Sequence, residues 1–201
     1  LWRNKDAKGQ AMAPAPLGDF NGDGIADLIN SRLELKAFSG ATGEPLWVTK
    51  TDAMVPSADA DRAGMGASRG TGDPDTILTD LNGDKKAELL HFFSRRFATE
   101  ANFDNLVSEQ RLAAVDANSG AVLWSAPIGP VNHRGQCSAP SCADVDGDGL
   151  LEIALVISDE DDLWHLRLMD GRDGSLRWTQ PLSKRNYGGR DCPLHLQLTD
   201  L

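Results

Sequence analysis

The sequence predicts an all-β chain of about three repeated units, each of four antiparallel strands. Three observations predict it. An acidic stretch recurs three times at a near-constant interval. A stretch running from a Gly-rich turn to a Trp comes after each copy. Between them the apolar residues alternate with polar ones at period two, or form short β-branched runs, rather than keeping the 3.6-residue period of a helix.

The acidic stretches read DFNGDGIADLI (19–29), DLNGDKKAELL (80–90) and DVDGDGLLEIAL (144–155). Their first residues, Asp19, Asp80 and Asp144, stand 61 and 64 residues apart (80 − 19 and 144 − 80). LTDL at 198–201 repeats LTDL at 78–81 and opens a further copy 56 residues on (200 − 144). The second motif reads LKAFSGATGEPLW (35–47), LAAVDANSGAVLW (112–124) and LRLMDGRDGSLRW (166–178). In each, a Gly precedes a Trp by four residues: Gly43 and Trp47, Gly120 and Trp124, Gly174 and Trp178.

Each unit therefore contains a strand before the acidic loop, one after it, one before the Gly turn and one around the Trp. In the third unit these fall at 140–145, 152–157, 163–169 and 176–181. SGATG, DANSG and DGRDG supply the hairpin turns between the last two strands. The repeats span roughly 11–66, 67–135 and 136–190, with partial copies at both ends. The second carries an added stretch, SRRFATEANFDNLVSEQ (94–110), expected to be a surface loop with or without a short helix.

Four antiparallel strands in about sixty residues make one blade of a β-propeller. Three blades do not close the usual ring of four to eight, and an isolated arc would leave its Trp side chains uncovered. A partial propeller is expected, either a segment of a longer ring or half of a six-bladed pair of copies.

The formal net charge is −10, from 30 acidic and 20 basic residues. Ten of the acids lie in the three loops: Asp19, Asp23 and Asp27; Asp80, Asp84 and Glu88; Asp144, Asp146, Asp148 and Glu152. The other 20 balance the Lys and Arg, so the excess charge is local to the loops. Like charges this close repel unless a cation sits among them. Three divalent ions would leave a net charge of −4 (−10 + 6). No basic cluster favours a nucleic-acid partner. No apolar run approaches the 18 residues of a membrane span.

Counted from its first Asp, each loop offers side-chain oxygens at positions 1, 3, 5 and 9. These are Asp19, Asn21, Asp23 and Asp27; Asp80, Asn82, Asp84 and Glu88; Asp144, Asp146, Asp148 and Glu152. Position 7, Ile25, Lys86 or Leu150, can add a backbone carbonyl. An all-oxygen shell carrying three or more charges suits Ca²⁺ better than Mg²⁺, which demands stricter geometry. An EF-hand is excluded on two counts. Position 12 is Asn30, His91 or Leu155 rather than Glu, and the segment after each loop is strand-like rather than helical. Gly24 and Gly149 hold position 6, where a positive φ is easiest, but loop two has Lys85 there. Loop two is therefore expected to be the weakest ion site.

The DxNxDGxxD loop leading into a strand resembles the FG-GAP/VCBS-type repeat of integrin α-subunit propellers and of many bacterial extracellular proteins. The A-x-D-x-x-x-G-x-x-x-W stretch, clearest from Ala114 to Trp124, resembles the tryptophan-docking repeat of quinoprotein dehydrogenases. The resemblance spans essentially the whole chain. It implies Ca²⁺ in each loop, bracing a hairpin, and Trp47, Trp124 and Trp178 packed between blades.

Cys137, Cys142 and Cys192 lack zinc-site spacing. Cys137 and Cys192 precede their acidic stretches by seven and eight residues (144 − 137 and 200 − 192), so they can pair across neighbouring blades. A Cys137–Cys142 pair and three free thiols are the alternatives. Calcium loops favour an oxidising setting, extracellular, periplasmic or at the cell surface. His91 and His165 lie in strand-like runs and are expected to be structural. No Ser/His/Asp arrangement, HExxH motif or phosphate-cradling Gly loop can be assembled.

The segments between units, such as DRAGMGASRGTGD, VNHRGQC and KRNYGGRDC, carry Gly with basic and polar residues. Arg69, His133, Arg134, Tyr187 and Arg190 are the candidate ligand-binding residues there. The expected function is a non-catalytic, calcium-stabilised module that binds a protein or glycan, or serves as a scaffold. The alternative is an enzyme: part of a quinoprotein-like, pyrroloquinoline quinone-dependent dehydrogenase, or another propeller enzyme such as a lyase.

Overall fold

The computed structural model describes residues 15–31, 34–50, 76–98, 106–129, 138, 140–158 and 163–184. Every described element is a strand. The order is β1 (Ala15–Gly18), β2 (Asp27–Ser31), β3 (Glu34–Phe38), β4 (Pro45–Lys50), β5 (Thr76–Thr79), β6 (Glu88–Ala98), β7 (Leu106–Asp116), β8 (Val122–Pro127), β9 (Ser141–Ala143), β10 (Glu152–Ser158), β11 (Leu163–Asp170) and β12 (Leu176–Lys184). They form three four-stranded antiparallel meanders, β1–β4, β5–β8 and β9–β12, one for each sequence repeat. The chain is a partial β-propeller, and the described residues form three of its blades. Among the described residues no helix is long and apolar enough to cross a membrane.

The blades pack face to face through the period-two alternation of their strands. One core cluster joins Ile29, Leu35 and Ala37 of the first blade to Leu89, Ala113 and Val115 of the second. The other joins Leu90, Leu112 and Ala114 of the second blade to Ile153, Leu155 and Ile157 of the third. Successive residues of β6 and β7 thus point to opposite neighbours, so the middle blade is buried on both faces. Burying each such aliphatic side chain contributes roughly 1.5–3 kcal/mol, and this inter-blade burial orders the stack.

A bulge recurs at one place in every blade, between Ala37 and Phe38, Ala114 and Val115, and Leu168 and Met169. It inserts one residue into the last strand before the Trp and so re-aims that side chain. In the second blade Val122 packs toward the first blade, while Trp124, two residues on, packs toward the third. The preceding turn closes with paired backbone bonds, for example Asp116 N to the Ala121 carbonyl at 2.8 Å and Gly120 N to the Asp116 carbonyl at 2.9 Å. Gly120 sits there at φ +72°, in the left-handed region, with the Trp47 ring directly against it.

The structure corrects one expectation. The added stretch 94–110 is not a loop over most of its length. β6 and β7 run through it as an eleven-residue pair, in register from Glu88↔Asp116 to Ala98↔Leu106. Its many polar residues hide the strands, because backbone pairing alone does not impose an apolar alternation on the sequence.

Candidate metal centres

Each acidic loop connects the first two strands of its blade, and the three fold alike. Position 1 accepts from the amides of positions 4 and 6: Asp19 from Gly22 and Gly24, Asp80 from Gly83 and Lys85, Asp144 from Gly147 and Gly149, all at 2.7–2.8 Å. Position 3 accepts from the amide of position 5, through Asn21, Asn82 and Asp146. Position 5 accepts from the amide of position 7, so Asp23, Asp84 and Asp148 hold Ile25, Lys86 and Leu150. These are Asx turns in series, in which short side chains satisfy amides that no strand can reach. The amides also hold the Asp19 carboxyl below the ordinary range, Gly24 N–H foremost.

The turns require left-handed backbone at positions 4 and 6. Glycine supplies it in loops one and three, with φ +83° at Gly24 and +86° at Gly149. Lys85 adopts φ +67° in loop two, the one non-glycine residue with positive φ among the described residues. Lys86, beside it, lies 4.0 Å from Asp84 at the solvent-exposed rim.

Position 9 behaves differently from the other three. Asp27, Glu88 and Glu152 are buried, and each accepts from the amide of position 2: Phe20 at 2.7 Å, Leu81 at 2.8 Å and Val145 at 2.9 Å. The carboxylate closes the loop onto its own hairpin. The second oxygen of Asp27 accepts from Gly40 N at 2.9 Å and ties in the turn of the next hairpin. Burial pushes the Glu88 carboxyl above its ordinary range.

Only the third loop, among the described residues, brings three carboxylates together. Asp144, Asp146 and Glu152 each offer an oxygen within 4.8 Å of the others. Their donor chemistry fits a hard divalent cation, and Glu152 Oε1 is a buried oxygen met by an ion pair with Arg177 rather than by an aligned hydrogen bond. A guanidinium already faces the group. Arg177 on β12 places Nη1 2.7 Å from Asp146 Oδ2 and Nη2 2.8 Å from Glu152 Oε1 and 3.0 Å from Asp170 Oδ2. The Arg177 hydrogen bond lowers the Asp146 pKa. Arg172 also pairs with Asp170, at 2.7 Å, and holds that carboxyl far below the usual range. Sequence reasoning missed Arg177, Arg172 and Asp170. The signal was present in the alignment of the repeats, where Leu46 and Leu123 stand in the place of Arg177.

Two of the three motif tryptophans join blades. Trp47 Nε1 donates to the Ala117 carbonyl and Trp124 Nε1 to the Gly171 carbonyl, each at 2.9 Å. Trp178, on the last described strand, is 45% exposed. Cys142 carries a free thiol, which sets aside a Cys137–Cys142 disulfide, and burial pushes its pKa up to about 12. Cys137 and Cys192 lie outside the described residues, as do the candidate ligand-binding residues Arg69, His133, Arg134, Tyr187 and Arg190.

No protein-family model matches the chain, and no curated protein matches it. Among solved structures it is similar to BamB from Moraxella catarrhalis, at 14% identity over 82% of this chain and 35% of that one, with a TM-score of 0.38. It is similar to a europium-containing methanol dehydrogenase at 13% identity, over 77% of this chain and 32% of that one, with a TM-score of 0.46. It is similar to the rhamnogalacturonan lyase YesW at 15% identity, over 82% of this chain and 33% of that one, with a TM-score of 0.37. The chain thus spans about a third of the length of the solved structures it matches.

Proposed function

We propose that this chain is a calcium-braced propeller module that binds another molecule or serves as a scaffold, without catalysing a reaction, in a protein of an extracellular, periplasmic or cell-surface setting. The observation that carries the reading is the threefold recurrence of one loop geometry. In each blade the side-chain oxygens at positions 1, 3 and 5 accept the loop's own amides at the tip of the first hairpin, while position 9 accepts the amide of position 2 at its base. An ion at the tip would neutralise the repelling carboxylates and hold the adjacent strands together. The partner we propose is a protein or a glycan, met by the linking segments that carry Arg69, His133, Arg134, Tyr187 and Arg190.

The test is thermal unfolding in millimolar calcium and in excess chelator. Ion binding to the folded state alone raises Tm by mass action. Asp19→Asn, which halves the charge available at the loop-one tip, should reduce the calcium-dependent gain. An identical melting curve with and without calcium overturns the reading. The enzymatic alternative is checked by incubation with pyrroloquinoline quinone, where bound-cofactor absorbance together with alcohol-dependent dye reduction would displace the scaffold reading.

A further inference from the structure

The third blade departs from the first two in a coordinated way. Position 3 of its loop is Asp146, where the others have Asn21 and Asn82. The residue before its motif tryptophan is Arg177, where the others have Leu46 and Leu123. An added carboxylate and an added guanidinium therefore appear together in one repeat, and the structure brings them to 2.7 Å.

The same guanidinium meets Glu152, whose side chain is fully buried and whose Oε1 lies 2.8 Å from Arg177 Nη2 as an ion pair. Asp146 and Glu152 are two of the three residues whose oxygens gather at this loop. A divalent ion and Arg177 would thus draw on the same oxygens. An arginine does not deprotonate, so its charge is permanent, and its flat fork spans two carboxylates at once. A carboxylate held by that fork must be released, at least in part, before it can close on an ion at 2.3–2.6 Å.

We infer that Arg177 is the resident cation of the third loop, and that a divalent ion enters this loop only by displacing it from Asp146 and Glu152. The displacement rests on the calcium reading above; the counter-ion role does not. The loop richest in carboxylates then takes up calcium after loop one, and Arg177 of β12 is released from the loop when it does.

Calcium titration of the full chain, tracked through the amide resonances of Gly22 and Gly24 in loop one and of Gly147 and Gly149 in loop three, reads the loops separately. In the natural chain the loop-three midpoint lies at higher calcium than the loop-one midpoint. Arg177→Leu, the residue of the first two blades, lowers the loop-three midpoint roughly tenfold or more and leaves loop one unmoved. The second blade already combines Leu123 with a buried position-9 Glu88, so leucine has a precedent in this architecture. Should it fail to fold in chelator, Arg177→Gln carries the same test. A loop-three midpoint at or below that of loop one, unmoved by either variant, overturns the displacement.

The counter-ion role is read in chelator alone. Arg177→Leu lowers Tm by about 2–4 °C, and the loss shrinks when Asp146 is already Asn. Equal losses in both backgrounds overturn it. Absence of any calcium response in either loop overturns the calcium reading and the displacement with it, while the chelator cycle still decides whether Arg177 is the cation of the loop.

Discussion

Trp47 Nε1 donates a hydrogen bond to the carbonyl of Ala117 at 2.9 Å, across 70 residues of chain and one blade boundary. Gly120 lies flat against the same indole: a Cβ built there would stand 2.6 Å from Trp47 Cε3. The buried Thr49 hydroxyl donates to the Gly120 carbonyl and completes the joint. Trp124 repeats the arrangement with Gly171 and Gly174. Glycine at the turn thus serves two ends, a left-handed backbone and room for the ring of the preceding blade.

Gly120→Ala should therefore destabilise the chain by about 2–4 kcal/mol, combining left-handed strain with overpacking against the ring. Trp47→Phe should cost about 1–3 kcal/mol, from the lost hydrogen bond, the carbonyl left unmet and the smaller ring. Trp178→Phe should cost less than half as much, because Trp178 is 45% exposed. Urea unfolding of the three variants checks the order, and a Trp178 loss equal to that of Trp47 would contradict it.

Asp27 offers a test of whether position 9 acts as a backbone clamp or as an ion ligand. Both its oxygens accept backbone amides, Phe20 N at 2.7 Å and Gly40 N at 2.9 Å, and it is wholly buried. Asp27→Ala strands two donors away from water and should cost about 3 kcal/mol or more. The clamp needs no ion, so the cost should be the same in calcium and in chelator. A loss seen only in calcium would instead make Asp27 an ion ligand before all else.

The blade pattern was legible because core burial stamps a period of two on the chain. The strands expected in the third unit, 152–157 and 163–169, differ from Glu152–Ser158 and Leu163–Asp170 by a residue each. The β6–β7 ribbon was not legible, since Arg95 and Arg96 pair with Glu109 and Ser108 at backbone level, where no apolar alternation is needed. The oxygen-bearing loop positions could be read, but not the division of labour among them. That Glu152 is buried and Asp146 exposed is a consequence of the strand that begins at position 9, and spacing alone does not reveal this. Arg177 was hidden for a similar reason: it lies 31 residues from Asp146 in sequence, and the β10–β11–β12 meander brings them together.

Lys85 offers a gain of stability. Its φ of +67° places a side chain where its two counterparts are glycine. Lys85→Gly should stabilise the chain by roughly 0.5–1 kcal/mol, the relief of left-handed strain less the added freedom of the unfolded chain. Lys85→Ala keeps the Cβ and should give no such gain. A destabilised Lys85→Gly in urea would show that the side chain contributes more than its backbone costs.

His91 sets a pH limit on the fold. It is buried in β6 with Nδ1 3.3 Å from the Thr76 hydroxyl, and burial pushes its pKa from 6.5 down to about 4. Above pH 6.5 the ring is neutral in both folded and unfolded chains, and its contribution is fully present. As the pH falls, the unfolded chain takes up the proton first, so stability is lost between pH 6.5 and about 4. The shift corresponds to about 3 kcal/mol in all, of which roughly 2 is gone by pH 5. Glu88 works the other way: its raised pKa favours the folded state below its ordinary value, and that contribution fades as the pH rises. The His91 share is therefore read as a difference. Unfolding free energies at pH 7 and pH 5, measured in chelator, should fall by about 2 kcal/mol more for the natural chain than for His91→Leu. Parallel losses in the two proteins would show that the buried ring does not control the acid limit.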